Sequence, residues 1–225
     1  MKSSGWTKCV ICKPMNKAIL SFLLLIICIV SKAQYAGYTL VSDIAKFKEQ
    51  FSSASQKTQT IKSDFVQEKN LSMLSEKITS KGKFWFKKDN LVRMEYNSPF
   101  QYLMIINKNN VYMKDGNKEN KVATSSNKLF QQINKITVDC VQGTALNNTD
   151  FKFKIFENEK GFLVELTPVA KNLKEYFKNI NIVVDKKDYS VNRIDMIELS
   201  GDNTVINFIN KELNANIPDA LFTIH

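Results

Sequence analysis

Histidine is nearly missing from this 225-residue chain: the single one is His225, at the last position. A terminal side chain is not held in fixed geometry, so histidine-centred acid–base or nucleophilic chemistry has no candidate. Glycine is scarce, at seven residues, and no glycine-rich loop that would cradle a phosphate is present. Cysteine numbers four, of which Cys9, Cys12 and Cys28 fall in the first 28 residues. Cys9-x-x-Cys12 has the spacing of half a redox or zinc motif, but it precedes an apolar stretch that is expected to be removed. Cys140, alone in the remainder, reads as a small half-buried hydrophobe or, less simply, as a nucleophile. No basic run with interleaved aromatics supports nucleic-acid binding, and no repeat or low-complexity linker marks a second domain.

Long apolar runs are also absent. The longest occupies residues 18–30 and is broken only by Ser21. A membrane-spanning helix needs about 20 apolar residues, and this run closes on Ser31-Lys32-Ala33, a small-x-small pattern before Gln34. The expectation is a cleaved secretory signal over residues 1–33, cut after Ala33. Ile27 ahead of Cys28 disfavours a lipoprotein signal, and Met15-Asn16-Lys17 reads as a more natural start than Met1, so that residues 1–14 need not be translated. Residues 1–33 carry five lysines and no acid, so the formal charge of +10 falls to about +5 in the remainder. Residues 34–225 are then expected to form one monomeric domain whose modest positive charge suits an anionic surface or acidic partner better than a nucleic acid.

Ile44, Phe47 and Phe51 lie on one stripe of an expected helix capped by Ser42 or Asp43. The period then switches to two: Ile78, Ser80, Gly82, Phe84 and Phe86 alternate with Lys77, Lys81, Lys83, Trp85 and Lys87. Further strands are expected over residues 91–96, 102–107, 151–156, 162–167, 180–185, 191–199 and 204–209, joined by short polar turns that imply antiparallel neighbours. Leu129, Phe130, Ile133 and Ile136 recur at helical spacing and place a second amphipathic helix over 127–138. This pattern is an α+β fold in which one strongly curved antiparallel sheet is covered by amphipathic helices. Such a layout either packs dry or leaves an apolar cavity beneath its helical lid, and patterning does not decide between them.

The stretch Gly82-x-Phe84-Trp85-Phe86-Lys87-Lys88-x-Asn90-Leu91-Val92, followed by Pro99, resembles the outer-membrane lipoprotein carrier family, LolA. Asp64-Phe65-Val66-Gln67, Leu166-Thr167-Pro168 and Leu221-Phe222-Thr223 stand where that family has similar features. The resemblance implies an unclosed half β-barrel with a helical lid. It further implies a periplasmic carrier that takes lipoprotein acyl chains from an inner-membrane release complex to an outer-membrane acceptor, without a cofactor or a metal.

The family latches its lid with a cation at the end of the Gly-x-x-Trp strand, which here is Lys88, where arginine is usual. Lys88 has the parity of Phe84 and Phe86 and would point inward, or else it is a turn lysine in solvent. Arg93 is a second candidate latch, unless it pairs with Glu95 or Glu76 on the outer face. The expected cavity lining is Phe65, Phe84, Phe86, Val92, Met94, Leu103, Ile105, Phe130 and Ile133, with Val92 and Met94 standing where the family has larger rings.

Relatives on the same fold leave two other roles open: a carrier for a different apolar molecule, such as an aryl-polyene or pigment precursor or a lipid, and an envelope-stress sensor of lipoproteins. An enzyme is not expected. Asp185 and Asp188, the nearest thing to paired carboxylates, lie in a lysine-rich turn and read as solvated.

Overall fold

A computed structural model describes residues 35–223 apart from 89, 109, 116–117 and 121–127. The expected signal at 1–33 lies outside the described residues. Residues from Thr39 onward form one compact unit.

Among the described residues twelve strands make a single antiparallel sheet: β1 (Thr39–Leu40), β2 (Thr60–Leu71), β3 (Glu76–Lys87), β4 (Leu91–Ser98), β5 (Tyr102–Asn107), β6 (Asn110–Asp115), β7 (Lys118–Asn120), β8 (Phe151–Glu157), β9 (Gly161–Pro168), β10 (Phe177–Asp185), β11 (Val191–Glu198) and β12 (Asn203–Leu213). Their spatial order is β1-β8-β9-β10-β11-β12-β2-β3-β4-β5-β6-β7, so β1 and β7 are free edges and the curved sheet does not close. Two helices cover its inner face. α1 (Ile44–Lys57) begins at Asp43, whose carboxylate accepts from the Lys46 amide at 2.9 Å. α2 (Lys128–Val141) is followed by a 3-10 turn at Thr144–Asn147, and a one-turn helix, α3 (Lys171–Lys174), joins β9 to β10.

Residues 60–71, for which no strand was expected, form the long strand β2, which pairs along its whole length with β3. Its register sets Phe65 opposite Gly82. A Cβ on Gly82 would sit 1.9 Å from the Glu95 carbonyl and 2.7 Å from the Phe65 ring, so the absent side chain is what lets that ring lie flat across the strand.

The inner face carries the main core. Phe47 and Phe51 of α1, and Ile136, Val138 and the fully buried Cys140 of α2, pack onto the inward residues of β2–β4 and β8–β12. Phe47 meets Phe162 of β9 edge-on at 4.7 Å between centroids. Burial pushes the Cys140 thiol up, which keeps it protonated and makes it part of the packing.

A second, smaller core lies on the outer face. The chain after β12 runs back across the sheet as a strap ending in a 3-10 turn at Asp219–Phe222, and Ile217 and Phe222 are buried there against Ile105 and Tyr112, with Trp85, Leu91 and Leu103 at the margin.

Candidate functional site

The register of β3 and β4 pairs Phe84 with Met94 and Phe86 with Val92, which puts all four on the inner face with Phe65. Each of these five is at most 4 % exposed. Tyr96 completes this surface. Its ring stands edge-on to Phe65 at 4.9 Å, its hydroxyl donates to Gln67 Oε1 at 2.9 Å, and burial pushes the phenol above its ordinary range.

Leu103 and Ile105 do not belong to this surface. Met94 pairs with Met104 and Val92 with Ile106, so it is Met104 and Ile106 that face inward, while Leu103 and Ile105 point outward into the strap's core. The run Leu103-Met104-Ile105-Ile106 is apolar on both faces because both are covered, and alternation therefore carries no information about which face is which. The side chains of Phe130 and Ile133 lie outside the described residues; their backbone belongs to α2.

Arg93 likewise faces outward. Its Nη1 donates to the Leu221 carbonyl at 3.0 Å, its Nη2 pairs with Glu95 at 2.9 Å, and its guanidinium lies 5.9 Å from the Trp85 ring. It fastens the strap rather than the lid, and pairing with Glu95 is one of the two arrangements its parity allowed. Lys87 and Asn107 hold the same strap, with Lys87 Nζ bonded to the Ile217 carbonyl and to Asp219, and Asn107 donating to the Phe222 carbonyl at 3.1 Å.

Lys88 follows Phe86 in parity and turns toward the helices. It is half-buried, and its ammonium donates to the main-chain carbonyl of Gln56 in the last turn of α1. Its own amide donates to the Gln59 carbonyl at 2.9 Å, so backbone and side chain both tie the β3–β4 turn to the end of α1. A helix C-terminus leaves its last carbonyls without intrahelical partners, and a cation there also meets the negative end of the helix dipole.

Two more contacts close the same end of the molecule. Ser55 of α1 donates to the Gln142 carbonyl just after α2, and the Gln142 amide donates to Asn90 Oδ1 at 3.3 Å. Asn90 itself donates to the Lys108 carbonyl at 2.6 Å, extending the chain of bonds to the β5–β6 turn. Gly143, with φ of 74°, is where α2 turns away, and a Cβ there would meet Ser55 Oγ at 2.8 Å. Between these ties lies a cleft of about 410 Å³, floored by Phe86 and Val141 and walled by Ser52, Gln56, Asn147 and Lys88. Sequence periodicity marks Lys88 but none of its partners, because a backbone carbonyl acceptor has no side-chain signature.

With this geometry, residues 56–225 match the family profile of the outer membrane lipoprotein carrier protein LolA. The chain belongs to the LolA family. Among curated proteins, no sequence matches it. Solved structures resemble it in fold at low identity. A crystal structure of MucB superposes with a TM-score of 0.50 at 11 % identity, over 82 % of this chain and 64 % of MucB. A LolA superfamily protein of Nitrosomonas europaea gives 0.43 at 8 %, over 80 % and 97 % of the two chains, and the Mycobacterium tuberculosis lipoprotein LppX gives 0.41 at 8 %, over 79 % and 99 %. The Gly82–Val92 segment that carries the family resemblance thus supplies, in this LolA family member, both an inner-face aromatic pair and the lysine beside the cleft. No cluster of three or more metal-ligating side chains occurs among the described residues.

Proposed function

We propose that this LolA family member is a periplasmic, non-enzymatic carrier that shelters lipoprotein acyl chains between its helices and the inner face of its sheet. It would take them from an inner-membrane release complex and deliver them to an outer-membrane acceptor. The observation that carries the proposal is the contact of Lys88 with Gln56. A continuous apolar surface lies under two helices, and the last turn of one of them is tied to the sheet by a cation bonded to a main-chain carbonyl.

Such a bond is a suitable catch for a reversible lid. A hydrogen bond to a charged group is worth about 1.5–3 kcal/mol, enough to bias closure and little enough to be broken when chains enter. Methionine at positions 94 and 104 gives the surface an unbranched, adaptable lining, which fits flexible alkyl chains better than a rigid ring system.

The test is transfer of an acylated lipoprotein from carrier to acceptor vesicles. Lys88→Leu removes the donor and leaves an alkyl group of similar reach; it should retain cargo but hand it over poorly. Lys88→Arg restores a donor to the Gln56 carbonyl and should transfer as the unaltered protein does. Equal transfer by all three proteins would remove Lys88 from the mechanism.

A further inference from the structure

The cleft beside Lys88 differs chemically from the interior it adjoins. Phe86, its floor, belongs to the inner core, so cleft and core share a wall. The other walls are hydroxyls and amides. Ser52 and Gln56 of α1 and Asn147 of the 3-10 turn line it and make no side-chain hydrogen bond among the described residues. Ser55, Thr58 and Thr144 donate to protein carbonyls and keep lone pairs that can accept. Lys88 commits one of its three N–H donors to Gln56. The described lining thus offers donors and acceptors together, one positive charge and no carboxylate.

An alkyl chain has no use for such a surface. A chain that passes Phe86 into the core, however, brings whatever it is attached to into this cleft. We infer that the cleft is a subsite for the ester- and amide-bearing linkage that joins acyl chains to a peptide, so that the protein reads the polar head of its cargo as well as its chains. The inference rests on the carrier reading above. Ester and amide carbonyls of the linkage accept from Lys88, Gln56 and Asn147, and its amide N–H groups donate to the Ser52, Thr58 and Thr144 hydroxyl oxygens. The volume, about 410 Å³, lies within the usual range of small-molecule sites, about 300–1,000 Å³.

The test compares two probes with the same two C16 chains, a dipalmitoyl-glyceryl-cysteine tetrapeptide and 1,2-di-O-hexadecylglycerol, which has no ester or amide, each displacing the fluorescent fatty acid cis-parinaric acid from the full protein. The lipopeptide should bind about tenfold more tightly than the diether, as a few added hydrogen bonds allow. Because Ser52, Gln56 and Asn147 are exposed and make no side-chain hydrogen bond among the described residues, Ser52→Ala and the pair Gln56→Leu with Asn147→Leu should fold with unchanged urea midpoints. They should lower the ratio of the two affinities about five- to tenfold. Equal affinities for the two probes, or parallel losses in the variants, would overturn the subsite. Failure of both probes to bind would overturn the carrier reading itself, which separates the two failures.

Discussion

Gly82 and Lys88 sit six residues apart on one strand and its following turn, and each depends on a neighbour that the sequence does not place beside it. At Gly82 that neighbour is Phe65, whose ring occupies the space of the missing side chain. Gly82→Ala should therefore destabilise the fold by about 3 kcal/mol, the upper end of overpacking costs, because the closest clash is with backbone that cannot swing aside. Urea unfolding measures it; a change below about 1 kcal/mol would mean that the Glu95 carbonyl and Phe65 move freely, contrary to the packing described. Parity from Phe84 and Phe86 offered the inward direction of Lys88 beside the alternative of a turn lysine in solvent. The same reasoning failed at Leu103 and Ile105, where both strand faces are apolar and only the pairing with Arg93 and Glu95 fixes the side.

At the scale of elements, the amphipathic helices and the polar-out strands were legible because each has one wet face, which stamps a period on the sequence. Two elements left no such mark. Strand β2 alternates weakly beyond Phe65, since Gln67 and Lys69 occupy inward positions and bond there to Tyr96 and Glu198. The strap after β12 has no regular period at all. It is held by main-chain carbonyls that accept from Lys87, Arg93 and Asn107, and by the side chains of Ile217 and Phe222. Phe222 is 1 % exposed, so Phe222→Ala should cost about 3–5 kcal/mol in equilibrium unfolding. The same variant should raise amide exchange across β5 and β6, where Ile105 and Tyr112 lose their cover, while leaving α1 and the Lys88 contact protected. Loss of protection in α1 instead would mean that the two cores are not separate packing units.

The molecule as a whole is a sheet with different coverings on its two faces. The strap closes part of the outer face with side-chain contacts to its carbonyls, and the helices cover the inner face with ties, among the described residues, at Lys88, Ser55 and Gln142 and from Tyr189 to Gln50. On the carrier reading proposed above, the strap is the side that stays and the helices are the side that lifts. The α+β architecture was readable from periodicity, and the LolA family from the Gly82–Val92 segment. The cleft was not readable, because its walls come from three segments distant in sequence. Native mass spectrometry with lipid extraction, on protein isolated from its own host, tests the central claim most directly. Co-purifying acylated lipoprotein, at one per carrier, is the predicted result. A free aryl or fatty ligand, or a protein that is empty in every preparation, would contradict it.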